Sequence, residues 1–479
     1  MRLEDALAAW LLGQRWFAGK GRILRDLAIV ADTEVVAGDP ALRHLIVLVS
    51  YGATADHYQI LIGLRSELPD WLKHARIGQT GDGKHAYDAL HDPELTRHLL
   101  RAIAGSQTIE SLTFSREPGT QIETELDSIV LTAEQSNTSL VFGEQSILKV
   151  FRRVSPGPNP DLEVTSALSR LGSPHVAEPY GSIETLMDGV TTTLAILSKY
   201  LRTATDGWTL AATSVRDLYA SDLYTSDPYT TGPFPIVTGS GDAPITSIVA
   251  GAGDGASVAG AGGDFAGEAH RLGAATAAVH RDLADAFGAD ELSPDALRDL
   301  AEQMYRRLDL ATAAVPELAR YGDMIGAAYS SLAKINEPVP AQRVHGDYHL
   351  GQVMRTETGW ILLDFEGEPA SPLAQRRARS SPMRDVAGML RSFDYAARFQ
   401  LLTHPDAERL RGVAREWIRR NSAAFCAGYA EAGGLDPVAN EVLLRALQLD
   451  KAVYEVVYEA RHRPSWLQIP LESLADFPN

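Results

Sequence analysis

The chain has 479 residues, 45% hydrophobic and 22% charged, ordinary values for a folded protein, so disorder throughout is excluded and roughly two to four domains are expected. Its 44 basic and 62 acidic residues leave a net charge of −18, which repels phosphate backbones and anionic lipid heads, so no nucleic-acid partner and no membrane surface is expected. The single cysteine, Cys426, excludes an internal disulfide and a cysteine-based zinc site, and a reducing compartment fits it.

No stretch reaches the roughly 18 apolar residues of a membrane span. The opening Met1-Arg-Leu-Glu-Asp-Ala6 has acids close behind its arginine and no long apolar run, so no secretory signal is expected and the chain reads as cytoplasmic. Leu3 to Leu12 has the spacing of a short amphipathic helix. Leu27 to Val36, Leu42 to Val49 and His57 to Leu64 are β-branched or alternating runs with turn residues between them, and a helix over Asp92 to Ala104 closes this β-rich first domain, 1–105. A second β-rich lobe, 106–201, has predicted strands over Ile122 to Leu131, Ser139 to Phe142, Ser146 to Phe151 and Thr191 to Leu201. Its helix, Pro160 to Leu171, carries proline in the first turn and Asp161 and Glu163 where the helix dipole favours anions.

From 202 to 479 the spacing is helical, over Thr213 to Leu223, Phe265 to Phe287, Pro294 to Ala313, Pro316 to Ile335, Met383 to Phe399, Pro405 to Ala432 and Pro437 to His462. Two segments interrupt it. Residues 226–263, mostly Gly, Ala, Ser, Thr, Asp and Pro, read as a flexible surface insertion. Arg343 to Phe365 is strand-rich. The whole is an α+β chain of three parts.

The strand-rich interruption carries the chemistry. It reads Val344-His-Gly-Asp347-Tyr-His-Leu-Gly-Gln352-Val353, and later Ile361-Leu-Leu-Asp364-Phe-Glu366. Phosphoryl transfer from ATP needs a carboxylate to orient the acceptor hydroxyl and take its proton, oxygen ligands for Mg²⁺, and a lysine to neutralise phosphate charge. Asp347, in a loop beside His and Gly, fits the base. Gln352 and Asp364, the latter ending an apolar strand, fit the metal ligands. His345, beside the base, is placed with the substrate. Lys149 lies in the apolar strand Ile147-Leu-Lys-Val-Phe151, where an inward charge needs a partner, and Glu163 in the next helix is the candidate. The preceding hairpin residues Gln135, Ser136, Asn137, Thr138 and Ser139 are small and polar, so their N–H groups and hydroxyls could cover the phosphates. Gly251 to Gly255 lacks the Gly-Lys-Ser/Thr of a Walker loop and is set aside.

The set Lys149, Glu163, His345-Gly-Asp347, Gln352 and Asp364-Phe-Glu resembles the aminoglycoside phosphotransferase branch of the protein-kinase-like fold, and within it the actinobacterial maltokinases. Further motifs carry the likeness nearly end to end: Gln14-Arg-Trp-Phe-Ala-Gly-Lys-Gly-Arg22, Ala133 to Ser139, Leu148 to Val154, Gly263 to Glu268, Leu363-Asp-Phe-Glu-Gly-Glu-Pro369, Asp385 to Phe393, and Leu449 to Pro464. The resemblance implies a bilobal kinase with an N-terminal β-rich cap domain, using ATP and Mg²⁺ to phosphorylate maltose at its anomeric hydroxyl for α-glucan synthesis. It also implies a monomer that associates with a trehalose-to-maltose isomerase. The alternatives are a glucosamine kinase or other sugar kinase of the same fold, and an inactive sugar-binding module. The metal-binding Asp-Phe-Glu in place of Asp-Phe-Gly, and Gln352 in place of Asn, are similar to what maltokinases show. The 226–263 insertion is longer than the family leads one to expect.

Lys451, Tyr454, Glu455 and Tyr458 are three, four and seven apart, hence on one helix face. Spacing alone allows either a tyrosine stripe in the core or a face of carboxylate, lysine and rings for a sugar. The resemblance assigns this face to the sugar. His349 and Arg391 are left outside the site, as residues that could equally brace the loop or pair with Asp385 or Asp394.

Overall fold

The computed structural model describes residues 2–131, 136–225, 264–368 and 371–477. The 226–263 insertion and Gln135 lie outside these. The chain forms two compact units, one of residues 1–172 with 176–203 and one of 173–175 with 204–479. The stretches that the sequence separates at 105 thus pack as one unit.

In the first unit, β1 (Asp26–Val36), β2 (Ala41–Ser50), β3 (Ala55–Arg65), β4 (Arg76–Gln79) and β5 (His85–Asp88) form an antiparallel sheet in the order β1-β2-β3-β5-β4. β2 and β3 read as nearly continuous apolar runs because both faces are covered. Leu45, Val47 and Val49 pack with Leu7, Leu11, Trp16 and Phe17, while Leu42 and Ile46 pack on the other side with Leu95 and Leu99 of the Pro93–Ala104 helix. That helix starts where the Asp92 side chain accepts the Glu94 N–H at 3.1 Å.

A second sheet holds β6 (Thr108–Ile109), β7 (Leu112–Arg116), β8 (Ser128–Val130), β9 (Thr138–Phe142), β10 (Ser146–Val150), β12 (Pro179–Met187) and β13 (Val190–Lys199), in the order β6-β7-β12-β13-β10-β9-β8. The run expected over Ile122 to Leu131 yields only β8; its first half alternates half-buried Ile122, Thr124 and Leu126 with exposed acids, and Glu125 pairs with Arg101 at 2.5 Å. The two sheets are tied where β11 (Arg153–Val154) pairs with β3 at Arg153↔Tyr58.

Arg152, 1% exposed, is the knot of that junction. It lies over the Trp16 ring at 4.7 Å, pairs with Asp88 at 2.5 Å and donates to Thr138 Oγ1 at 2.8 Å. Beside it, the Gln59 amide donates to the carbonyls of Phe151, at 2.7 Å, and of Leu194, while its Oε1 takes the His44 Nε2–H at 3.0 Å. Since Gln59 Oε1 can only accept, His44 carries its proton on Nε2.

The second unit is helical around a three-stranded sheet, β14 (Thr205–Asp206), β17 (Val353–Thr356) and β18 (Gly359–Leu362), in the order β14-β17-β18. A separate pair, β15 (Ala289–Leu292) with β16 (Val339–Gln342), leads into the loop that carries Asp347. The predicted Pro316 to Ile335 helix is a 3-10 turn, Pro316–Tyr321, followed by an α-helix, Gly322–Leu332. Among the described residues no helix is long and apolar enough to cross a membrane.

Candidate active site

The site in the second unit hangs on the Met383–Phe399 helix. Asp385 in its first turn is 1% exposed and accepts the backbone N–H of His345 at 2.7 Å and of Gly346 at 2.9 Å. Its other contact is His280 Nε2 at 3.0 Å, and His280 Nδ1 lies 2.8 Å from the Tyr429 hydroxyl. Burial pushes the Asp385 carboxyl up, but the His280 contact and the loop N–H groups outweigh it and hold it below the usual range. Gly388, one turn on, lets the loop touch the helix: a Cβ there would stand 2.5 Å from the Tyr348 carbonyl oxygen.

His345 is buried between the rings of Tyr348 and Phe365, with centroids 5.2 and 4.9 Å away, and its Nε2 donates to the Leu363 carbonyl at 2.8 Å. This corrects its placement with the substrate. Both ring nitrogens are committed, Nε2 to the strand end that precedes Asp364 and Nδ1 to the Asp347 backbone N–H at 3.4 Å, and the ring lines neither large cavity of this unit. His349, left outside the site by sequence, does line one, and its Nδ1 accepts the Gly351 N–H at 3.0 Å. Burial lowers its pKa.

Asp364 follows β18 with φ +63°, a left-handed conformation that only glycine adopts freely. The contacts on either side hold it there: Leu363 N–H reaches the Gln352 carbonyl at 2.9 Å, and Gln352 Nε2 reaches Asp364 Oδ2 at 3.2 Å. With its amide turned over so that Oε1 rather than Nε2 faces the carboxylate, Gln352 would join Asp364 as a pair of hard oxygen donors that suit Mg²⁺, which keeps waters for its remaining positions.

Asp347 opens into a cavity of about 600 Å³. Lys451, Tyr454, Glu455 and Tyr458 of the Glu441–His462 helix line it, as the shared face predicts. Lys451 Nζ stands 3.5 Å from Asp347 Oδ1 and 3.9 Å from Glu368 Oε2. Burial works against its charge, but the carboxylates of Asp347, Glu368 and Glu455 outweigh that and hold it above the ordinary lysine value. Glu455 takes two bonds from Arg391, at 2.9 and 2.7 Å, yet burial still leaves its carboxyl above the usual range. Glu459 accepts from Tyr395 at 3.2 Å and from Arg463. The far wall is aromatic, with Phe399 and Trp466 centroids 4.7 Å apart and Tyr454 stacked on Tyr458 at 6.1 Å.

Glu368 and Asp385 carry no sequence assignment of their own, although both stand inside quoted motifs. Asp385 shares a helix stripe with Met389, Ser392 and Ala396, all buried, so an acid on a core face was the signal available.

In the first unit, Lys149 on β10 is partly buried and its ammonium lies 3.6 Å from Asp161, the first-turn acid two residues before Glu163. Thr138 and Ser139 are buried inside β9 rather than in the hairpin turn, and the Thr138 hydroxyl is taken by Arg152. Ser136 is exposed and Asn137 half-buried.

Residues 10–92 match the model of the maltokinase N-terminal cap domain, and residues 249–417 that of the phosphotransferase enzyme family. A glucosamine kinase of Streptacidiphilus jiangxiensis is 28% identical over 79% of this chain and 80% of its own length. One of Mycolicibacterium smegmatis is 26% identical over 71% and 77%. Among solved structures, a glucosamine kinase in complex with glucosamine, ADP and inorganic phosphate aligns over 99% of this chain and 98% of its own, with TM-score 0.66 and 22% identity. The chain is thus built as a phosphotransferase of the protein-kinase-like, aminoglycoside phosphotransferase fold, with a maltokinase-type β-rich cap at its N-terminus.

Proposed function

We propose that the chain transfers the γ-phosphoryl group of ATP to a hydroxyl of a sugar, with glucosamine the acceptor best suited to its cavity. The carrying observation is the charge of the wall: Asp347, Glu368, Glu455 and Glu459 line it against Lys451 and Arg463, and with Glu455 given over to Arg391 an excess of one acid remains, which favours an ammonium-bearing sugar. Two relatives that bear the name glucosamine kinase support this reading. Maltose is the second reading, favoured by the cap match and by a cavity of about 600 Å³ whose aromatic end could take a second ring.

In this reading Asp347 orients the acceptor hydroxyl and receives its proton, and Lys451 fixes that carboxylate. Asp364 and Gln352 would hold Mg²⁺, which would neutralise phosphate charge, and Lys149 of the first unit is by itself a cation suited to a nucleotide phosphate. The test is kcat/KM with ATP and Mg²⁺ for glucosamine, maltose, glucose and an aminoglycoside. Glucosamine is expected first. Glucose turned over as well as glucosamine would remove the role of the ammonium, maltose in first place would install the second reading, and no sugar turned over would end both. Asp347→Asn is expected to lower turnover on the order of 10²–10⁴-fold.

A further inference from the structure

Asp347, Glu368 and Lys451 also border a second cavity, of about 420 Å³, on which the proposed reaction makes no claim. Its character is different. The Phe399–Trp466 wall is absent from it, and its lining includes Arg307, Arg376, Arg384, Gln303, Gln375 and two serines, Ser371 and Ser380. Four cations line it, counting Lys451, against the three acids Asp347, Glu368 and Asp450.

The arginines are not equivalent. Arg307 is committed to both oxygens of Asp450, at 3.0 and 2.6 Å. Arg376 donates to the Glu366 carbonyl at 3.2 Å. The Arg384 guanidinium makes no hydrogen bond among the described residues. Its nearest acid is Glu368 at 3.9 Å, and its side chain is 42% exposed. Glu368 in turn has Lys451 at the same 3.9 Å, so the acid is shared between two cations. A planar fork with five donors and no hydrogen-bonded partner, at a polar cavity, is suited to an oxyanion, which it can grip through two parallel bonds. Around it, two amides and two hydroxyls are the groups that recognise sugar hydroxyls.

We propose that this second cavity is a binding site for a phosphorylated sugar, with Arg384 on the phosphate and Gln375, Ser371 and Ser380 on the ring. The sugar half of the assignment rests on reading the adjoining cavity as a sugar site, whereas the phosphate half rests on Arg384 alone. Because the two cavities share Asp347 and Lys451, an occupant here touches the groups that serve the acceptor, so the site is placed to let a phosphorylated sugar restrain the enzyme.

The experiment is calorimetric titration of the full chain without ATP or acceptor, using glucosamine 6-phosphate and inorganic phosphate as separate probes. The sugar phosphate is expected to bind, and Arg384→Gln to weaken it about tenfold to a hundredfold, the loss of charge-assisted bonds. Arg384→Lys, which keeps the charge without the fork, is expected in between and serves if the first variant does not fold. Gln375→Ala should weaken the sugar phosphate and leave free phosphate unchanged. Equal affinity in the parent and Arg384→Gln overturns the proposal. So does a loss produced by Tyr458→Ala, on the other cavity, and not by Arg384→Gln. Free phosphate binding as tightly as the ester would reduce the site to an anion site and overturn the sugar assignment. None of these readouts needs turnover, so they stand apart from the test of the proposed reaction.

Discussion

Asp385 Oδ1 accepts the backbone N–H of Gly346 at 2.9 Å, one residue before Asp347. With the His345 N–H at 2.7 Å on the other oxygen, the loop is suspended from one buried carboxylate. Asp385→Asn leaves a single oxygen for these donors and for His280, so at least one buried donor loses its partner, at about 1–3 kcal/mol. The expected result is a lower melting temperature together with a tenfold or greater fall in kcat and a nucleotide KM within a few-fold of the parent. A lower melting temperature with kcat unchanged would make Asp385 a fold residue only.

The two histidines of the loop should separate cleanly. His345→Ala removes a buried ring, the bond to Leu363 and the acceptor of the Asp347 backbone N–H, and is expected to cost about 2–4 kcal/mol of stability. His349→Ala removes a cavity wall and the bond from the Gly351 N–H, about 1 kcal/mol as a lost cap, and should raise the acceptor KM. Thermal melts and acceptor KM values on both variants check the assignment. It fails if His345→Ala shifts acceptor KM with stability intact.

Lys149→Met is expected to lower kcat/KM for ATP by at least a hundredfold, and Asp161→Asn to give a smaller fall in the same constant. The Asp161 carboxylate 3.6 Å from the ammonium restricts where it points, while the charge itself survives the second change. Initial rates over a range of ATP at fixed acceptor measure both. Asp161→Asn with parental constants would show that the pair does not direct the lysine.

His44 gives the fold a pH dependence with a fixed sign. Burial lowers its pKa from 6.5 to about 4. Below pH 6.5 the unfolded chain takes up a proton that the folded chain refuses until about pH 4, so stability is full above the unfolded value and is lost as pH falls through that window. The difference amounts to about 3 kcal/mol at the acid end. Denaturant midpoints measured from pH 7 to 4 should fall for the parent, and more gently for His44→Asn.

Much of this arrangement was legible in the residues. Strands β2 and β3 announce themselves because covering both faces leaves no polar alternation to interrupt the run, and the Lys451 to Tyr458 face follows from helical spacing. Asp347 and Asp364 stand out because loops that end at strands hold carboxylates in place. What escaped has equally physical reasons. A loop has no period, so nothing in His345-Gly-Asp-Tyr-His349 says which histidine faces the cavity. Nothing in the spacing of the first-turn acids marks Asp161 as standing 3.6 Å from a lysine on a neighbouring strand. Thr138 reads as a turn residue, and Ser139 as both the end of the hairpin and the start of a strand, because they are small and polar, whereas β9 lies between two strands and buries both. β12 was missed since proline, glycine and glutamate at its start and middle hide a strand that two neighbours stabilise.

The knot at Arg152 bears on how such a chain can be inherited. A domain joined by a linker can be exchanged for a relative's, but this cap supplies Trp16 and Asp88 to an arginine that belongs to the lysine-bearing lobe. A foreign cap without those two side chains would leave the guanidinium charged, buried and unpaired, a loss of about 3–5 kcal/mol. An exchange of caps inside the first unit is therefore expected to keep its stability only where Trp16, Asp88 and Arg152 travel together.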